Sequence, residues 1–140
     1  MESVLEIGNE ILSKQPFSQL MGTQLTRLTP SEAVLELSLR DDMKQQHGFV
    51  HGGVLSYMAD NALTFAGGFA MGGVQVVTAE FKINYVRPAI GTRLVARART
   101  VHVGRRQTVC QCDLFVQEAE RETLVAVAQG TISAMGSREA

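Results

Sequence analysis

The residues best suited to chemistry lie between Gln45 and Thr64, in the segment QQHGFVHGGVLSYMADNALT. Gly52 and Gly53 occupy the first turn of a predicted helix, where backbone N–H groups lack intrahelical acceptors and attract negative charge. Glycine has no side chain to keep a carbonyl oxygen from approaching such an N–H group. A carbonyl that becomes an oxyanion during reaction would be stabilised there by about 3 kcal/mol. A purely structural role, in which His51-Gly52-Gly53 only begins a tightly packed helix, fits these three residues equally well.

Asp60 is the only acidic residue between Met43 and Ala79 and lies within a long apolar run. An ionised carboxylate at a mostly buried position costs free energy unless it has a partner, so such a residue is a candidate for a chemical task. A carboxylate here could attack a carbonyl carbon or take a proton from water. The alternative interpretation is an acid that faces solvent and has no chemical role.

The spacing along the predicted helix indicates a site shared between two chains. At 100° per residue, a helix over Val54–Ala66 has a wide apolar face and a narrow polar stripe, which is expected to face water or another subunit. The stripe comprises Ser56, Tyr57, Asp60, Asn61 and Thr64. Gly52 and Asp60 would be about 12 Å apart, too far for one carbonyl group to contact both within one chain. Two antiparallel helices related by a two-fold axis would bring Gly52 of one chain beside Asp60 of the other, so an obligate homodimer is expected.

The elements around this helix predict an α+β fold in the order α-β-β-α-β-β-β-β. Residues 2–13 predict a short helix that Pro16 stops, and the pairs Gly67-Gly68 and Gly72-Gly73 are expected to end the long helix and turn the chain. Period-two alternation predicts strands over Thr23–Leu28, Ala33–Leu39, Val74–Arg87, Thr92–Val103, Gln107–Gln117 and Thr123–Met135. Short links between the last four predict antiparallel neighbours. In the third strand, strict alternation places Thr78 on the face opposite Phe81.

Composition narrows the functional classes. With 140 residues, of which 45% are hydrophobic and 19% charged, the chain is expected to form a single domain, 1–140, with an N-terminal helix and connector at 1–21 and a frayed tail at 136–140. A net charge of −1 gives no electrostatic basis for binding nucleic acid or an anionic membrane. The N-terminus carries acids where a secretion signal carries basic residues, and no apolar run is long enough to span a membrane, so a cytoplasmic location is expected.

Two other features could suggest chemistry but have simpler readings. The glycine pairs follow a helix and no Gly-Lys-Ser/Thr comes after them, whereas a phosphate-binding P-loop needs a strand, the glycines and then a helix. Cys110 and Cys112 fall on the same face of a predicted strand and lack the further soft ligands of a metal site. They are expected to be reduced residues of the core.

The pattern Gln45-x-x-Gly48-x-x-His51-Gly52-Gly53, followed by Asp60, resembles hotdog-fold acyl-CoA thioesterases. The groups it resembles most are the phenylacetic-acid-degradation (PaaI-like) and the 4-hydroxybenzoyl-CoA thioesterases. The resemblance covers residues 20–135 and implies a hotdog fold, in which an antiparallel sheet of about six strands wraps a long central helix.

The resemblance implies roles for five residues of this stretch. Gly52 corresponds to the N–H donor to the thioester carbonyl, and His51 to the residue that shapes the turn. Gln45 matches a glutamine or asparagine near the thioester and the carboxylate. Asp60 corresponds to the family carboxylate, and Thr64 to a Ser/Thr that helps hold the attacking water. Because Gln45 together with Asp60 fits neither group cleanly, the acyl group stays open between aryl and medium-chain aliphatic.

For the CoA moiety, the resemblance implies Arg87 and the turn that contains His102, Gly104, Arg105 and Arg106. Arginines at strand ends are well suited to bidentate contact with phosphates. The alternative is that these arginines are solvated surface residues that bind no ligand.

The sequence therefore predicts an acyl-CoA thioesterase that needs no metal or redox cofactor, binds neither nucleic acid nor membrane, and assembles as a dimer or as a tetramer made of two dimers. Two alternatives stay open. One is a hotdog enoyl-CoA hydratase or dehydratase, in which His51 and Asp60 would handle water, although the Pro-Gly stretch typical of those enzymes is missing. The other is a non-catalytic acyl-CoA-binding module.

Overall fold

A long helix, α3, is wrapped by a six-stranded antiparallel sheet in the computed structural model, which describes residues 1–136. The helices are α1 (Val4–Ser13), α2 (Pro16–Met21) and α3 (Gly52–Ala70), with a 3₁₀ turn at Asp41–Met43. The strands are β1 (Gln24–Leu28), β2 (Glu32–Ser38), β3 (Val76–Tyr85), β4 (Arg93–Val103), β5 (Gln107–Glu118) and β6 (Arg121–Ala134). Their order in the sheet is β1-β2-β4-β5-β6-β3. The predicted α+β hotdog architecture and its six strands are confirmed.

The core lies between the apolar face of α3 and the concave face of the sheet. Fully buried side chains of α3 include Met58, Ala62 and Leu63, and they pack against Leu94 and Leu114 of the central strands. Each large apolar side chain removed from water contributes about 1.5–3 kcal/mol. The wide apolar face predicted for α3 thus holds the helix inside the curved sheet.

Cys110 and Cys112 are free and completely buried on the concave face of β5, as predicted. Burial disfavours a thiolate and raises the pKa of Cys110 to about 11, and it raises the pKa of Cys112 as well. Both thiols therefore stay protonated and unreactive near neutral pH.

The prediction that the N-terminal helix ends before Pro16 is confirmed, but the connector predicted after it is wrong. The helix α1 ends at Ser13, and Pro16 is the first residue of α2. The first helical position needs no N–H donor and suits the fixed φ of proline, so Pro16 starts a helix here. The connector predicted at Phe17–Met21 is consequently this second helix, which ends at Gly22 with φ of 82°.

The prediction that Gly67-Gly68 ends the long helix is also wrong. The helix continues to Ala70, and the chain turns at Gly72 and Gly73, whose φ angles of 90° and 79° suit glycine. A Cβ on Gly67 would lie 2.7 Å from Cβ of Ile132, closer than two such carbons can approach. Gly67 therefore permits close contact between helix and sheet.

We predict that Gly67→Ala destabilises the protein by about 1–2 kcal/mol, because overpacking against Ile132 outweighs the gain in helix propensity. Gly68→Ala is the matched control. Its Cβ would lie 3.2 Å from Cγ2 of Val76, on an edge strand that can give way, so the change is expected to stay within about 0.5 kcal/mol. Urea unfolding at one protein concentration measures both. Equal stability of the two variants would contradict the packing role of Gly67.

The alternation predicted for the third strand is interrupted by a β-bulge. Thr78 pairs with Ile132 of β6 and Glu80 pairs with Thr131, so Ala79 is an extra residue. A bulge shifts the side-chain alternation by one position. Thr78 therefore points toward α3, on the same side as Phe81, and its predicted placement on the opposite face is wrong.

Within residues 1–136, no helix is both long and apolar enough to cross a membrane. The tail predicted to fray comprises residues 136–140. Of these, only Gly136 belongs to the described part of the chain.

Candidate active site

The start of α3 is fixed by the loop that precedes it. Lys44 and Val50 form a β-bridge, and the His51 N–H donates to the carbonyl of Met43 at 2.9 Å. His51 is the N-cap residue, and its Nδ1 accepts the Gly53 N–H at 2.8 Å. A Cβ on Gly53 would lie only 3.0 Å from that nitrogen, so a side chain at this position would crowd the cap.

The Gly52 N–H is left without a hydrogen-bond acceptor among residues 1–136. Because His51 caps Gly53, Gly52 is the glycine of this pair that can donate to a ligand. A Cβ on Gly52 would rest 3.4 Å from the ring of Tyr85, which is ordinary contact. A side chain at position 52 would therefore point toward Tyr85 and would not cover the free N–H group.

Tyr85, at the end of β3, supports the first turn of α3. Its hydroxyl donates to the Gly52 carbonyl at 3.2 Å and is hydrogen bonded to Ser56 Oγ. These contacts hold the peptide that follows the free N–H group. The support that Tyr85 gives to α3 was not predicted from the sequence.

Asp60 is half-buried on α3 and is held by two threonines. Thr78 Oγ1 donates to Asp60 Oδ1 at 2.6 Å, and Thr64 Oγ1 donates to the Asp60 carbonyl at 2.7 Å. The two threonine hydroxyls are 3.1 Å apart. In the described part of the chain, Asp60 forms no salt bridge and its Oδ2 accepts no hydrogen bond. One carboxylate oxygen is therefore positioned while the other is available to water or a substrate.

Two of the five residues of the predicted polar stripe, Tyr57 and Asn61, pack against the N-terminal region instead of facing water or another subunit. Asn61 is only 8% exposed, and its amide donates to Gln15 Oε1 and Ser18 Oγ, each at 3.2 Å. The Tyr57 hydroxyl donates to Ser18 at 2.6 Å and lies 2.7 Å from Thr23 Oγ1. The unpredicted helix α2 covers this side, so Tyr57 and Asn61 join α3 to the N-terminal region.

Gln45 lies in the loop before α3, and its side-chain oxygen accepts the His47 N–H of the same loop. Its own N–H donates to the Phe49 carbonyl at 2.9 Å. Gln45 thus stabilises the loop that leads to the free Gly52 N–H. No hydrogen bond joins Gln45 to Asp60 within residues 1–136.

The residues predicted to bind CoA lie at opposite ends of the sheet. Arg87 follows β3, and its Nη1 donates to the Leu124 carbonyl at 3.1 Å. His102, Gly104 and Arg106 line an open groove of about 530 Å³ with Gln107, Ser133 and Ala134, and Arg105 is exposed in the same turn. Because Val76 pairs with Ala134, the length of β3 separates Arg87 from this turn, about 30 Å. One chain does not bring the two groups together.

A long helix wrapped by a six-stranded antiparallel sheet defines the hotdog fold, and this helix carries a free N–H at its first turn and a positioned carboxylate near its middle. The sequence model described as "Thioesterase superfamily" matches residues 47–123, just over half of the chain. The chain belongs to this family. It is a thioester hydrolase.

Similar proteins agree with this assignment. A thioesterase family protein from Silicibacter pomeroyi is 30% identical, with a TM-score of 0.87 over 91% of this chain and 95% of that chain. The PaaI protein from the phenylacetic acid degradation operon of Escherichia coli has the same fold, with a TM-score of 0.84 over 96% of this chain and 97% of its own at 22% identity. The 1,4-dihydroxy-2-naphthoyl-CoA hydrolase of Listeria monocytogenes is 21% identical over 86% of this chain and 97% of its own length.

Proposed function

We propose that the protein hydrolyses acyl-CoA thioesters to a free acid and CoA, in two sites that are each shared between the subunits of a homodimer. The observation that carries this proposal is a pair of available groups on α3, the Gly52 N–H and Asp60 Oδ2, eight residues apart. They are complementary for attack on a carbonyl but about 12 Å apart in one chain. The CoA hydrolase among the similar proteins supports CoA as the thiol.

The edge strand β3 supplies the surface for such a dimer. Within residues 1–136 it pairs only with β6, which leaves its other edge open and Val77 and Tyr85 about half exposed. Open strand edges tend to pair with another chain. Antiparallel pairing of two β3 strands, with Tyr85 level with Thr78 of the partner subunit and Ala79 as an extra residue, would be centred on Lys82. This is within about one residue of the middle of β3, so most of the strand would be paired.

That register also aligns the catalytic groups. Tyr85 contacts Gly52, and Thr78 contacts Asp60. A pairing that sets Tyr85 level with the partner's Thr78 therefore sets Gly52 level with the partner's Asp60. The spacing on α3 and the contacts along β3 are two separate observations, and both favour the same antiparallel dimer.

The proposed reaction uses water as its second substrate. The Gly52 N–H of one subunit donates to the thioester carbonyl oxygen, while Asp60 Oδ2 of the other accepts a proton from the attacking water. The new C–O bond gives a tetrahedral oxyanion, the C–S bond then breaks, and the proton passes from Asp60 to the CoA sulfur. Direct attack by Oδ2 would instead form an anhydride that water opens, and it would use the same oxygen. Neither route requires a metal or redox cofactor.

The same register would assemble one CoA site from two chains. Arg87 would come to the level of the partner's Val76, at the end of the sheet where the partner's turn 102–106 lies. We propose that this combination of arginines and His102 binds the phosphates of CoA. Arginine suits such contacts because its planar fork matches phosphate oxygens.

Release of free thiol from aromatic, hydroxyaromatic and straight-chain acyl-CoAs tests the activity. We expect hydrolysis with at least one class. Loss of crotonyl-CoA absorbance without thiol release would favour the hydratase instead, and tight binding without turnover would favour a binding module. The buried, protonated Cys110 and Cys112 contribute little to a thiol-reagent signal from the folded protein.

We predict that Thr78→Val lowers kcat by about tenfold, because Asp60 loses the hydroxyl that positions its carboxylate. Thr78→Ser keeps the donor and is expected to restore kcat to within about twofold of wild type. Steady-state kinetics of both variants provides the measurement. A positioning role predicts a change in kcat rather than KM. Equal losses in the Val and Ser variants would argue against a specific role of the hydroxyl, because only the Ser variant keeps it.

A further inference from the structure

We propose that the apolar groove between α1 and the C-terminal half of α3 receives the acyl chain, and that it selects uncharged straight-chain aliphatic groups. This inference rests on the proposed acyl-CoA hydrolysis and specifies its substrate class. The groove has a volume of about 570 Å³, which is within the usual range for small-molecule sites.

Helix α1 is firmly attached to the edge of the sheet. The side chain of Asn9 forms the two hydrogen bonds with Leu25 that a neighbouring strand would form. Its amide donates to the Leu25 carbonyl at 2.8 Å, and its oxygen accepts the Leu25 N–H at 3.0 Å. A Cβ on Gly8 would lie 2.3 Å from Cδ2 of Leu25, so the absence of a side chain there permits close docking. The hydrogen bonds that fix α1 are thus made by Asn9 and Leu25, which do not line the groove.

The adjacent face of α1 is apolar but not covered by the rest of the chain. Val4, Ile7 and Ile11 are 42%, 45% and 52% exposed, although their spacing puts them on one side of the helix. All three line the groove, opposite Phe65 and Phe69 of α3. An aliphatic chain bound there would remove these surfaces from water.

The groove leads to the proposed catalytic carboxylate. Thr64 forms part of its wall, and the same hydroxyl donates to the Asp60 carbonyl and contacts Thr78. An acyl group whose carbonyl carbon lies beside Asp60 could therefore extend along α3, past Thr64, into the groove.

The lining favours an apolar chain over a polar one. None of its side chains is charged. Gln15 Oε1 already accepts hydrogen bonds from Ser18 and Asn61, and the Thr64 hydroxyl is engaged with Asp60. A carboxylate or hydroxyl on the acyl group would lose water and find few free partners, which costs free energy. The groove thus discriminates against hydroxyaryl and dicarboxylic acyl groups.

Chain-length dependence of kcat/KM with acetyl-, butyryl-, hexanoyl- and octanoyl-CoA tests this inference. For the wild-type chain we expect an increase of about fourfold per methylene over the part of the chain that enters the groove. Ile7→Asp puts a charge into the groove wall and is expected to lower octanoyl-CoA turnover by about tenfold or more, with acetyl-CoA turnover within about twofold of wild type. Leu20→Asp is the matched control, since Leu20 is 68% exposed on α2 and does not line the groove.

Each outcome separates the possibilities. Hydrolysis with no dependence on chain length, or an equal loss of acetyl- and octanoyl-CoA turnover in Ile7→Asp, would overturn the groove assignment and leave the proposed activity intact. No thiol release from any acyl-CoA would contradict both. Sedimentation of Ile7→Asp completes the test: a smaller assembly would show that a second copy of the chain, rather than an acyl group, covers this face. Val4→Asp provides the same comparison if Ile7→Asp does not fold.

Discussion

Asp60→Asn is expected to lower kcat by about 100- to 10,000-fold, the range for loss of a general base. The change is nearly isosteric. The Asn oxygen can still accept the Thr78 hydroxyl that now bonds Asp60 Oδ1, so the side chain keeps its position. What is lost is Oδ2, the oxygen without a hydrogen bond within residues 1–136, which becomes an amide nitrogen that cannot accept a proton. KM should change little, because Asp60 contributes to the chemical step rather than to CoA binding.

The matched control is Asp113→Asn on the outer face of β5. Asp113 is also a partly exposed acid, but its contact is Arg99, 3.5 Å away, and it lies on the side of the sheet away from α3. It should keep wild-type kcat within about twofold, since exposed ion pairs contribute little. Thermal unfolding of both variants checks that folding is unaffected. Full activity of Asp60→Asn would exclude both the general-base and the nucleophilic role.

The fold could be read from the sequence because its signals are local. Alternating residues identified the strands, and short links showed that they are antiparallel. The missed helix at Pro16 and the error at Gly67 arose where one residue type has two uses. Proline can stop a helix or start one, and glycine can end a helix or let it approach a sheet. Only the tertiary contact with Ile132 distinguishes these uses for Gly67.

The candidate site was predictable in part for the same reason. Gly52 and Asp60 belong to one helix, so their spacing can be counted along the sequence. Thr78 was placed on the wrong face because the bulge at Ala79 depends on pairing with β6, far along the chain. Tyr85 was not linked to Gly52 because that contact requires β3 to run back along α3. Contacts between elements needed the structure.

Gly52→Pro is expected to lower kcat by about 100- to 1,000-fold, the cost of one oxyanion-hole donor. Proline lacks the N–H, and its ring occupies the space into which that group points. The helix should tolerate it, because Gly52 is the first residue of α3, where proline is favoured. His51 already has φ of −61° and ψ of 137°, the conformation required before proline. Gly52→Ala is the control: it keeps the N–H, and its Cβ would only touch the Tyr85 ring at 3.4 Å. Equal losses in the two variants would argue against the backbone donor.

Combining the two inactive variants tests whether a site is shared. In a heterodimer of Asp60→Asn and Gly52→Pro chains, one site would carry both changes, and the other would have Gly52 from one chain and Asp60 from the other. Co-expression with two different tags allows this heterodimer to be isolated. It should recover about half of wild-type activity, while either variant alone stays inactive. If Gly52 and Asp60 acted within a single chain, every site would carry one change and the heterodimer would be inactive. The recovery of activity therefore depends on the antiparallel arrangement that the 12 Å spacing on α3 implies.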